Sequence, residues 1–150
     1  MLLPLPREVG TDISLANHLA LAVCRTDDGY SHLLSELLRA VYFSYFFYEA
    51  GFGELPVHVY LEAESGLADA LEISHRDKIS RVDVLLGGIL ERVLATYDQQ
   101  LGSVAAWMLI DARERLDRFV TGDKASPISG RVFQAFEENR DALNGQVSNQ

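Results

Sequence analysis

A chain of 150 residues, 48% apolar and 23% charged, is long enough to build one domain with its own core, and its composition is neither disordered nor fibrous. Thirteen basic against twenty-two acidic residues leave a net charge of -9, which opposes direct binding to nucleic acid and suits a partner that is itself basic, such as the nucleic-acid groove of another protein. Cys24 is the single cysteine, which excludes an internal disulfide and a thiolate zinc site and leads us to expect a reducing, cytoplasmic setting.

Residues 1–10 are expected to form an extended arm, because Pro4 and Pro6 interrupt the apolar start and no long apolar run of the secretory kind follows. Thr11 and Asp12 offer N-caps for a first helix through Arg25, with Ile13, Ala16, Leu19, Ala20 and Val23 on one stripe. A second helix is predicted from about Tyr30 to Ala50, ended by Gly51 and Gly53. Its longest apolar stretch, Ala40 to Phe47, falls far short of the roughly 20 residues that cross a bilayer, so no membrane association is expected.

Between 56 and 64 the alternation of Val57, Val59 and Leu61 with polar residues also fits a strand. Helix is the preferred reading, since no second strand pattern exists to pair with, and Ser65 with Gly66 is expected to divide the segment in two. Ser74 and Asp77 form a capping box before Ile79, Val82, Leu86, Ile89, Leu90, Val93 and Tyr97, which predicts the next helix. A turn is expected within 98–103, then a helix carrying Val104, Met108, Ala112, Leu116 and Phe119, ended by Gly122. Ser126 and Pro127 would cap a last helix with Ile128, Val132, Phe133, Phe136 and Leu143 inward, and residues 144–150 would form a frayed polar tail.

The fold class predicted is therefore all-α, a single-domain bundle of about five or six helices. Two of them carry more apolar surface than one core requires. At about 100° per residue, Phe43, Phe46 and Phe47 project from the face that earlier held His32, Ser35, Glu36 and Arg39, while Tyr45 and Tyr48 stay with the inward stripe. Trp107 and Ile110 likewise point toward the side later taken by Glu114, Asp117 and Arg118. Gly87 and Gly88 lie opposite the core stripe of their helix, beside Val84, Glu91 and Ala95, where small residues allow a second helix to come close. These second faces are either core covered by another element of the chain, most simply the last helix, or an interface.

Catalytic patterns are missing. There is no nucleophile elbow and no phosphate-binding glycine loop, and Cys24 sits mid-helix on an apolar stripe, the place of an inert thiol. Three pairs have metal-ligand spacing: His32 with Glu36, His58 with Glu62, and Glu72 with His75. Glu72 and His75 make half of a di-iron carboxylate motif, but the second half is absent, and a haem held by His75 below the aromatic cluster would need a longer distal helix.

The function expected from the sequence is that of a non-enzymatic regulatory, adaptor or inhibitor protein with no cofactor. It would bind a protein partner through apolar helical faces, as a homodimer built on Phe43, Phe46, Phe47, Trp107, Ile110, Gly87 and Gly88. The alternative is a helical ligand-, haem- or metal-binding protein using the aromatic cluster with Glu72, His75, His58 and Glu62.

Overall fold

A computed structural model describes residues 3–121 together with Ser126 and Ile128. Five helices occur among them: α1 (Arg7–Cys24), α2 (Ser31–Glu49), α3 (Val57–Asp77), α4 (Val84–Leu101) and α5 (Ala106–Thr121). The fold is an all-α bundle, as the sequence predicts. The last helix expected from the sequence, with Phe133 and Phe136, and the expected polar tail fall on positions outside the described residues.

The arm is shorter than expected, because α1 begins at Arg7 with Pro6 in the N-cap position rather than at Thr11 or Asp12. A proline just outside the first turn removes no helical hydrogen bond, so nothing delays the start. The Thr11 hydroxyl instead donates back to the Arg7 carbonyl at 3.0 Å. What remains of the arm pairs with the link between α4 and α5: the Ala106 N–H donates to the Leu3 carbonyl at 2.9 Å, and the Leu5 N–H to that of Val104 at 3.4 Å. The inward face of α1 also differs from the expected stripe. Asn17, Ala20, Leu21 and Cys24 are buried, whereas Leu15 and Leu19 face outward.

Helix α2 is the centre of the bundle and packs against each of the other four. It ends where predicted, with Gly51 and Gly53 at φ 96° and 92°, backbone that a side chain would strain. Helix α3 settles the ambiguity at 56–64 as helix, and it runs unbroken through Ser65 and Gly66. Gly66 is used for proximity rather than as a break: a Cβ there would stand 2.5 Å from Leu86 Cδ1 on α4.

The expected capping box at Ser74 does not start a helix. Leu67, Ala70, Leu71 and Ser74 continue one buried stripe, so α3 extends past them and stops only at Lys78, which takes the left-handed conformation at φ 59°. The Ser74 hydroxyl meets that of Ser80 at 2.5 Å, tying the helix end to the connector that follows. Asp83 is the actual cap of α4, its carboxylate accepting from the Leu86 N–H at 2.8 Å. The turn expected within 98–103 is present, α4 ending at Leu101.

Two connectors meet at the far end of α1. The Val82 N–H donates to the Cys24 carbonyl at 2.8 Å, and Arg81 reaches Asp27 at 3.0 Å. Gly29 is required there, because a Cβ would fall 2.2 Å from the Ser80 carbonyl oxygen.

A polar network runs through the core. Gln100 on α4 is buried, and its Nε2 donates to the carbonyls of Ser44 at 3.0 Å and Phe52 at 2.9 Å. The Ser44 hydroxyl donates to Gln100 Oε1 at 2.7 Å and shares a 2.8 Å hydrogen bond with the Tyr60 hydroxyl. Three elements are thus held in register by one amide.

Candidate docking groove

The residues expected to form an interface separate into two groups. Phe43, Phe46 and Phe47 are core: they are 5%, 5% and 1% exposed, which removes them as a free dimer surface. The reason is the central position of α2. Its second face is covered by α5, whose Arg115 guanidinium lies 4.2 Å from the Phe46 ring centre and pairs with Glu49 at 3.1 Å, and by α4, whose Tyr97 ring stands 6.1 Å from that of Phe47. Arg39 covers Phe43 from the same helix at 5.2 Å. Tyr45 and Tyr48 are only half-buried and lie against Tyr60.

Trp107 and Ile110 do face outward, at 53% and 58% exposed, together with Asp111, Glu114 and Asp117. Among the described residues no second helix packs on Gly87 and Gly88. The Arg25 guanidinium lies over Gly87, 2.9 Å from where a Cβ would be, and pairs with Glu91 at 2.7 Å, while the space over Gly88 is open.

The histidine and carboxylate pairs do not converge. His58 with Glu62 and Glu72 with His75 are exposed on α3, with centres about 20 Å apart along its axis at about 1.5 Å per residue. His75 and Tyr60 are separated by about 22 Å on the same scale, so the histidine does not stand below the aromatic cluster. Among the described residues no group of three or more histidine, cysteine, aspartate or glutamate side chains could hold a metal ion. Nor is any helix there long and apolar enough to cross a membrane.

A different feature emerges between α3 and the start of α4. Positions 62, 65, 66, 69, 70 and 73 form one stripe of α3, the spacing of a single helical face. Opposite them stand Leu85, Leu86 and Ile89 of α4, and the connector closes one end with Ile79, Arg81 and Asp83. Together they enclose an open groove of ≈ 870 Å³. Its floor exists because Gly66 lets Leu86 settle against α3; a larger residue at 66 would displace that side chain. At the α4 end, Ile79 is 58% exposed, Leu85 78% and the adjoining Val84 93%. Apolar side chains so displayed and grouped around one concavity are the surface type that soluble proteins reserve for contact with something else.

Electrostatically the lining is acidic. Among the described residues Glu62, Asp69 and Asp83 contribute to it, as does Arg81, whose guanidinium pairs with Asp27. Among the described residues no histidine or cysteine belongs to the lining.

The buried tyrosines with raised ionisation lie elsewhere, inside the bundle. Burial, with the Glu64 carboxylate beside it, pushes the Tyr42 hydroxyl far above the ordinary tyrosine range, and burial does the same to Tyr97. Tyr60 is raised by burial although Ser44 and Gln100 act in the opposite direction. Glu64 is itself buried, and its carboxylate accepts a hydrogen bond from the Ser126 hydroxyl, which places Ser126 against α3. This cluster faces the core and not the groove.

Compared with protein families, with curated proteins and with solved structures, the chain matches none of them.

Proposed function

We propose that this protein acts by binding another protein, without chemistry of its own, and that the groove between α3 and α4 receives a helix of the partner. The observation that carries the reading is the display of Ile79 and Leu85 at a concavity floored by Leu86, with the exposed Val84 next in the chain. The α3 side of the groove, from Glu62 to Ile73, is about 16 Å long, which is three turns of a docked helix with apolar anchors at positions i, i+4 and i+7. Among the described residues the alternative of a ligand, haem or metal pocket has less support, because the aromatic cluster is largely packed inward and the histidine and carboxylate pairs on α3 lie apart on exposed positions.

The test uses an uncharged amphipathic helical peptide with leucine anchors and glutamine elsewhere, and a scrambled peptide of the same composition. Methyl resonances of the full chain report the site. The expected result is a shift confined to Leu61, Ile73, Ile79, Leu85 and Ile89 with the amphipathic peptide and none with the scrambled one. Shifts centred on Trp107 and Ile110, or no binding, would refute the groove as the docking site.

A further inference from the structure

Helix α5 packs against α2 alone among the described helices, and the residues it buries form one stripe, Leu109, Ala112, Leu116 and Phe119. Its outer side is exposed and patterned. Trp107, Asp111, Glu114 and Arg118 follow one another at i, i+4, i+7 and i+11, which places them on one seam, with the exposed Ile110 at its edge. Among the described residues no ion pair engages Asp111, Glu114 or Arg118. We propose that two copies of the chain meet along this seam, α5 against α5 in antiparallel order.

The order of charges along the seam carries the inference. Asp111 and Arg118 are opposite in sign and stand two turns apart, about 10 Å along the axis. A two-fold axis crossing α5 midway between them, beside Glu114, brings Asp111 of each copy level with Arg118 of the other. Both pairs form at once, as a self-complementary contact requires. Trp107 lies one turn before Asp111, so the incoming guanidinium can rest on the indole face while it meets the carboxylate. Parallel helices would instead set Asp111 against Asp111 and Arg118 against Arg118.

Three features oppose the contact and keep it weak. Glu114 faces its own copy across the axis, one helix pair offers a small interface, and the net charge of -9 on each copy resists the encounter. A concentration-dependent dimer is what such a face supports. The inference is independent of the groove: α5 packs on neither α3 nor α4, so each copy of the dimer carries its own groove.

Two charge reversals test the pairing by sedimentation equilibrium on the full chain. The wild type should show a monomer–dimer equilibrium, and its single tryptophan, Trp107, should emit at shorter wavelength as the concentration rises. Asp111→Arg sets guanidinium against guanidinium and Arg118→Asp sets carboxylate against carboxylate, so each variant alone should associate about tenfold or more weakly. Mixed in equal amounts, the two variants are complementary at both ends of the seam, and association should return to near the wild-type level. Both positions are exposed, so helix content should be unchanged in each. Glu114→Gln should tighten the wild-type dimer a few-fold by removing the like charges at the axis.

A wild type that stays monomeric at millimolar concentration, or a dimer whose Trp107 emission does not change, would overturn the contact. So would single reversals that leave the dimer as tight as before, since the copies would then meet on another face. A mixture that fails to associate while both variants keep their helix content would overturn the antiparallel pairing.

Discussion

Truncating Phe43 and Phe47 separates a core from an interface. Removing a large buried aromatic costs about 3–5 kcal/mol through lost burial and the cavity left behind. Phe47 is 1% exposed and packs near the Tyr97 ring, a pairing that adds about 0.5–1.5 kcal/mol beyond area, so Phe47→Ala belongs at the upper end. Phe43 is nearly as buried but has the Arg39 guanidinium on one side, which can follow a retreating surface, so Phe43→Ala belongs at the lower end. The two together cost about 6–10 kcal/mol, against a total stability of about 5–15 kcal/mol for an ordinary domain. The positions are neighbours on one helix face, and the sum is therefore read from the double variant rather than assumed. Urea unfolding followed by circular dichroism gives the cost, and light scattering at the same concentration gives the mass. Each single variant should lower the urea midpoint, and the double variant should lose helix. A double variant that keeps the wild-type midpoint and helix content while its mass halves would mean that these rings cover another subunit, and the placement of α2 at the centre of the bundle would be wrong.

Three other outcomes follow from the same interior. Gln100→Met keeps the volume but removes three hydrogen bonds at about 0.5–1.5 kcal/mol each, so stability should fall by about 1.5–4.5 kcal/mol; a loss below about 0.5 kcal/mol would show that the network contributes nothing. Gly29→Ala places a methyl 2.2 Å from the Ser80 carbonyl oxygen, and overpacking of this kind costs about 1–3 kcal/mol; an unchanged urea midpoint would contradict the contact between the two connectors. Raising the pH tests the tyrosines. Tyr42, Tyr60 and Tyr97 have ionisation raised in the fold, so their contribution is intact below the unfolded value of about 10. Above it the unfolded chain loses protons first, and each of the three costs about 1.4 kcal/mol per pH unit. Their tyrosinate absorbance should appear in one step together with the loss of helix signal. A smooth ionisation of all six tyrosines near pH 10 in a folded protein would refute their burial.

The helices are more legible in the sequence than the contacts between them. Gly51 and Gly53 announced the end of α2, because their conformation is a property of the residue itself. Ser74 and Asp77 misled for the opposite reason: a capping box is a local preference worth about 1 kcal/mol, and the buried stripe ending at Ser74 outweighs it. The phenylalanines of α2 were visible as a second apolar face, but whether such a face is covered depends on how many helices surround it. The groove could be traced only in part. Val84 was already placed on the outer side of α4, whereas Ile79 stood in phase with the core stripe and is exposed because α4 begins later than the capping box implied. Gln100 fell within a predicted turn, and nothing nearby in the chain reveals that Ser44 and Phe52 need its amide.

Cys24 closes α1 fully buried, and its carbonyl holds the connector that forms one end of the groove. Burial raises the thiol above its ordinary ionisation, which removes the reactive thiolate as well as the access. Because no other thiol exists in the chain, each molecule carries one chemical clock at that joint. A thiol reagent can mark Cys24 only when α1 and the connector part, so the labelling rate, set against that of the unfolded chain, measures how often the joint opens under native conditions. A peptide lodged between α3 and α4 would press on Ile79 and Arg81, and the clock would slow in proportion to how firmly it holds them.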